Sequence, residues 1–319
     1  MSVFSSWFAS PLPDAAIEIS ARRVAVATLS ERGGAFTVNR RAVELLPAGA
    51  VVPSLTSPNI AEPSRVADAL RSAFRELGES PRRVTLVVPD TVARVSLLPF
   101  AQVPARKEDL DELIRWQLRK SAPFSIEEAV LSHSPGAQGG LNGSEFIVAL
   151  AKRSVVEEYE RACESAGAHA GIVDLATLSV VNLFLAGTAP SAADWLVVNA
   201  RPDYTSLAIM RGRDLIFFRS RVESDSESLS DLVHQTAMYY QDRLSGKGFE
   251  RVFLGGGGRD AVAELMRDGL EERLGVPVEP IDATRIVSFS DRIRPGVEAS
   301  ESLAPLIGAL LREQKLAAA

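Results

Sequence analysis

This sequence predicts an α/β chain of two similarly built halves, with a small α+β unit inserted in the first. Three observations carry that prediction. A pattern of three short strands joined by tight turns occurs twice, offset by roughly 180 residues. Amphipathic helices with recognisable ends stand between the other strands, and the stretch from 84 to 150 has no counterpart in the second half.

The first copy is AAIEISARRVAVATLSERGGAFTVNRRAVELL, residues 15–46, with predicted strands over 17–19 and 24–29, a hairpin at Gly33-Gly34 and a third strand. A helix follows, with Ser64 expected as its cap, the stripe Val66, Leu70, Phe74 and Leu77, and Gly78 as a left-handed stop. The inserted unit reads as strands over 84–88 and 92–97, then a helix after Pro104 with the stripe Leu110, Leu113, Ile114, Gln117 and Leu118, ended by Pro123. Trp116 lies off that stripe, where its indole is expected to pack on a neighbouring element or, alternatively, to contact a partner. A glycine-rich turn over 136–143 leads into a strand over 145–150. Ser154 and Glu157 have capping-box spacing ahead of Val156, Tyr159, Cys163 and Ala166, with Gly167 behind them, so Cys163 is expected to be buried.

The second copy is DWLVVNARPDYTSLAIMRGRDLIFFRSRV, residues 194–222, turning at Arg211-Gly212. A helix over about 227–244 is expected to bury Leu229, Val233, Thr236 and Tyr240, leaving His234 on a flank. A strand over 251–254 runs into Gly255, Gly256, Gly257 and Gly258, followed by a helix to Leu274 and Gly275. The last helix carries Leu303, Leu306, Ile307, Leu310 and Leu311, and its end, LREQKLAAA, is expected to fray.

Composition narrows the functional classes. The 319 residues hold 35 basic and 41 acidic side chains, a formal charge of −6, with 46% hydrophobic and 24% charged residues. An acidic chain of this kind argues against a general nucleic-acid binder, which needs a basic face. One cysteine and the three histidines His133, His169 and His234 provide neither an internal disulfide nor metal-ligand spacing. No long apolar run and no signal-peptide pattern is present, so a cytoplasmic chain is expected. Val3, Phe4, Trp7 and Phe8 share one side of a short terminal segment, read as a loosely held or locally packed arm, with a docking anchor as the alternative.

The four glycines remove every Cβ between a strand and a helix N-terminus, which suits the close approach of a nucleotide. They lack the GxGxxG and GxxxxGK[ST] spacings, and a tight strand-helix turn explains them equally well. With the duplicated halves and the insertion, they complete a resemblance. The chain resembles PilM, the actin-like cytoplasmic family of type IV pilus assembly, within the wider group that contains FtsA. The most specific stretch is IRWQLRKSAPFSIEEAVL within residues 84–131, supported by 146–184 and 251–279.

The resemblance implies an actin-like duplicated fold with these boundaries: an arm over 1–13, a first domain over 14–83 and 151–190, the inserted subdomain over 84–150, and a second domain over 191–319. It also implies two phosphate loops, and both are altered. Where the family has GIDIGxxxVK, this chain has AIEISARRVA, so Glu18 replaces aspartate, Ser20 replaces glycine and Ala25 replaces lysine. Arg22 and Arg23 are expected to face solvent. Where the family has VDIGxxxT, this chain has VNARPDYT, with Asn199 for aspartate, Arg201 for glycine and Thr205 retained. Glu223, Asp225 and Glu227 bring further negative charge toward that site.

A neutral asparagine and extra carboxylates disfavour magnesium and a triphosphate. The expected site is therefore degenerate: Glu18, Ser20, Asn199, Thr205 and Gly255 to Gly258 would hold ATP or another adenine nucleotide weakly, without magnesium and without hydrolysis. By the same resemblance, the cytoplasmic N-terminal peptide of an inner-membrane PilN-like protein is the expected partner. It would lie in a groove by the insertion, near Trp116, Arg115, Phe124 and the strand holding Val84, Leu86 and Val88. Other inner-membrane pilus components, membrane association through the partner and self-association follow from the same likeness. An active Mg-ATP switch or filament protein, and a component similar to GspL of type II secretion, are the alternatives.

Overall fold

The computed structural model describes residues 13–140, 143–187, 192–223, 228–256, 261–290, 293 and 297–318. Residues 1–12 of the arm, Gly257, Gly258, Asp225 and Glu227 lie outside them.

Both predicted repeats form. In the first half, β1 (Ala15–Ile19), β2 (Arg23–Arg32) and β3 (Ala35–Leu45) are consecutive antiparallel neighbours, and Gly33 and Gly34 adopt positive φ at the hairpin. In the second half, β9 (Asp194–Ala200), β10 (Tyr204–Arg211) and β11 (Asp214–Val222) repeat the pattern. Helix α1 (Pro63–Leu77) ends at Gly78 with φ 75°, where the left-handed conformation favours glycine. Its start differs from expectation: Glu62 precedes the helix, Pro63 opens it, and Ser64 lies inside it. Proline needs no backbone donor at that position, so the helix starts there without a side-chain cap.

The other elements of the first half are β4 (Arg83–Val88), β5 (Ala93–Phe100), α2 (Lys107–Leu118), β6 (Ala129–Gly140), β7 (Gly143–Lys152), α3 (Arg153–Ser165), β8 (His169–Leu175) and α4 (Ala176–Gly187). Among the described residues the first sheet has the order β14-β3-β2-β1-β4-β8, where β14 is Ser288–Phe289. The inserted unit therefore begins later than residue 84. Strand β4 is parallel to both β1 and β8 and lies in the core of the first domain. A separate sheet, β5-β7-β6, with α2 on one face, is the insertion. Much of the glycine-rich stretch expected as a turn is strand, in β6.

The Ser154–Glu157 capping box does not form either. Lys152 precedes α3, no side chain caps it, and Val155 is buried in place of Val156. Cys163 is fully buried in the core shared with α1, as the spacing predicts.

In the second half, α5 (Leu229–Arg243), β12 (Arg251–Gly255), α6 (Ala261–Leu274), β13 (Val278–Pro280) and α7 (Val297–Ala318) complete the chain. The second sheet runs β11-β10-β9-β12-β13. Ser228 caps α5 by accepting the Asp231 amide, and Leu232 is buried where Leu229 was expected.

Two helices cross over and bind the halves together. Helix α7 comes from the second half but packs on β1, β2 and β4, while α4 follows the first half and reaches β9 and β10. One continuous core results, holding Ala16 and Val87 from the first sheet, Val197 and Phe253 from the second, and Leu183 and Leu306 from the crossing helices. The second half is thus not confined to one side, because its last helix and β14 complete the first.

Candidate functional site

The strand pattern explains why a charge cluster forms between the halves. In β1, Ala15, Ile17 and Ile19 face the α1/α3 core, so Glu18 shares the opposite face with Ala16, toward α7. In β2, Val24 and Val26 face the α1 side, which puts Arg23 on the α7 side with Ala25 and Ala27. Contrary to the expectation from sequence, Arg23 does not face solvent. Its Nη2 donates to Glu18 Oε2 at 2.8 Å and to the Ser302 carbonyl of α7 at 2.9 Å. Arg22 is exposed.

Across the cleft, Arg201 leaves the end of β9. Its Nε donates to Asn199 Oδ1 at 3.1 Å, and its Nη2 lies 3.6 Å from Glu18 Oε1. The side chains of Glu18, Arg23 and Arg201 are only 4%, 18% and 16% exposed. Burial raises the Glu18 carboxyl, but the guanidinium groups of Arg23 and then Arg201 outweigh it and hold the group below its ordinary value.

The chain of polar contacts continues. Asn199 Nδ2 donates to Thr177 Oγ1 at 2.8 Å, and Thr177 at the start of α4 donates its amide at 3.0 Å and its hydroxyl to the two oxygens of Asp90. Asp90 follows β4 and is fully buried. Burial pushes its carboxyl above the ordinary value against the bonds from Thr177. Asp90 and Thr177 were not singled out from the sequence. The only signal is a Pro-Asp pair ending the buried run VTLVV.

The cavity here has a volume of about 200 Å³ and is lined by Glu18, Ser20, Arg23, Arg201, Tyr204 and Gly256, among others. Ser20 is committed to its own turn, its amide and hydroxyl both donating to the Arg23 carbonyl. Thr205 lies elsewhere: it lines a cavity of about 20 Å³ with Arg221 and Val222, because alternation along β10 turns Tyr204 toward the cleft and Thr205 away.

Gly255 and Gly256 have packing reasons to be glycine. A Cβ on Gly256 would stand 1.4 Å from the Ala200 carbonyl oxygen, at φ +90°, and one on Gly255 would stand 2.5 Å from Ile281. The Gly256 amide donates to the Glu301 carboxylate.

The residues expected to share a peptide groove are not brought together. Val84, Leu86 and Val88 are at most 1% exposed, in a strand with neighbours on both edges. Trp116 is 73% exposed on the outer side of α2, Phe124 packs against the α2 core, and Arg115 Nη1 donates to the Ile126 carbonyl at 3.0 Å. On the other face of the inserted sheet, Ala93, Ala149 and Ala151 meet Val88, Val156 and Val173 around an apolar cavity of about 90 Å³.

The sequence profile of the family described as type IV pilus assembly protein PilM matches residues 16–226. The chain belongs to that family. The match runs from the first repeat through the whole insertion to the end of the second repeat. Among solved structures, the PilM-PilN type IV pilus biogenesis complex is similar at a TM-score of 0.80 and 18% identity, over 95% of this chain and 99% of that one. A Bacteroides thetaiotaomicron protein with an actin-like ATPase fold and unknown function is similar at 0.52 and 12% identity, over 98% and 99%. The fold is the actin-like two-domain α/β fold. A search of curated protein sequences gave no match. Among the described residues, no helix is long and apolar enough to cross a membrane.

Proposed function

We propose that this family member is a cytoplasmic actin-like scaffold that takes up the cytoplasmic N-terminal peptide of an inner-membrane PilN-like protein and does not hydrolyse ATP. It would sit at the membrane through that partner and through other pilus components. The observation that carries the reading is the engagement of both Glu18 oxygens by arginines, 2.8 Å from Arg23 and 3.6 Å from Arg201.

A magnesium shell needs oxygen ligands free of competing cations, and phosphoryl transfer depends on positioned charge. The acidic residue that would face magnesium is already paired, and Asn199 spends its amide on Arg201 and Thr177. The cavity of about 200 Å³ is also smaller than the about 300–1,000 Å³ usual for ligand pockets. Mg-ATP does not fit these residues.

Peptide capture has a better place in the apolar junction between the inserted sheet and β4, β8 and α3. A side chain entering there would be buried against Ala149, Ala151 and Val156. The test is calorimetry with a synthetic peptide of the partner's cytoplasmic tail. Ala149→Glu should abolish binding while Trp116→Ala leaves it intact. The opposite pattern would move the peptide to α2, and phosphate release from ATP by the pure protein that Glu18→Ala abolishes would refute the non-hydrolysing reading.

A further inference from the structure

We infer that Arg23, Glu18 and Arg201 form an ionic lock that joins the two halves of this chain across the cleft, where a metal-bound polyphosphate would otherwise join them. The inference rests on the proposed exclusion of Mg-ATP and assigns the linking task to the chain's own side chains.

The three groups come from three places that meet only in the folded molecule. Glu18 lies in β1, Arg23 opens β2, and Arg201 stands in the turn after β9 of the second sheet. Arg23 reaches further to the Ser302 carbonyl of the crossing helix α7, 2.9 Å away. Arg201 continues through Asn199 to Thr177 of α4, and Thr177 returns to Asp90 at the end of β4. The polar chain therefore leaves the first sheet at Glu18, enters the second at Arg201 and Asn199, and comes back to the first at Asp90.

Glu301 also acts on Arg201 and holds the Gly256 amide, which ties the β12 end to the same cluster. The Glu18 and Arg201 side chains are only 4% and 16% exposed, so removing either partner would leave the other charge poorly hydrated in the closed cleft. The separation of the two halves would then be set without a ligand.

The test uses spin labels on Glu76→Cys in α1 and Asp242→Cys in α5, both exposed positions. Native Cys163 is fully buried and stays unlabelled. The expected distance distribution is narrow and unmoved by ATP with magnesium. It should broaden or shift in Arg201→Gln, in Glu18→Gln and in the double variant, and the melting-temperature losses of the two single variants should not add in the double.

Unchanged distributions in all variants, or additive losses, would overturn the lock. Should the single variants not fold, the labelled parent and the double variant are compared alone, and an unchanged distribution again overturns it. Calorimetry of the parent with ATP and magnesium reports separately on the exclusion: tight binding would refute that reading, whereas additivity refutes only the lock.

Discussion

Gly308 of α7 faces Ser179 of α4 so closely that a Cβ on the glycine would lie 1.8 Å from the serine carbonyl oxygen. The two crossing helices touch backbone to backbone at that point, where neither can yield without moving the layer between the sheets. Gly308→Ala is expected to destabilise the protein by about 3 kcal/mol, at the upper end of ordinary overpacking. Urea unfolding measures it, and a loss below about 0.5 kcal/mol would mean the helices adjust freely.

Glu18 gives the protein an acid-side dependence of stability. Its folded carboxyl lies below the ordinary value because Arg23 and Arg201 outweigh burial. The ion pairs therefore contribute fully above the unfolded value of about 4.3 and are lost as the pH falls through the lower folded value. The stability gap between the parent and Glu18→Gln should shrink on acidification through that window. A gap that does not change with pH would show that the carboxyl is not held by the arginines.

Burial, with Glu160 and Glu164 nearby, pushes the Cys163 thiol up to about 12. At a mildly alkaline pH the native protein should resist iodoacetamide, while the unfolded chain reacts at the rate of a free thiol. Fast labelling of the native protein would contradict its place on the buried face of α3, in the core shared with α1.

Two neighbours on α2 should behave in opposite ways. Ile114 is 0% exposed and packs on the inserted sheet, so Ile114→Ala is expected to lose about 2–5 kcal/mol. Trp116 is 73% exposed, and Trp116→Ala should change stability by less than about 0.5 kcal/mol. Thermal melts of the two variants decide this; comparable losses would mean that Trp116 is packed.

The strand-turn-strand repeats, the presence of an insertion and the buried Cys163 were legible in the order of residues. Each is a local property, set by side-chain period, turn chemistry or residue type. What covers each strand face was not legible, and most of the corrections follow from that. Arg23 points into the cleft because α7, almost 300 residues later, lies over its face of β2. Thr205 turns away because alternation sets its direction, and only α4 and α5 decide which side is the cleft. The strand of Val84, Leu86 and Val88 is core because β1 and β8 flank it. Periodicity distinguishes two faces of an element, whereas burial and ion pairing depend on which distant segments close over them, and that was decided only when the crossing helices brought both halves around one core.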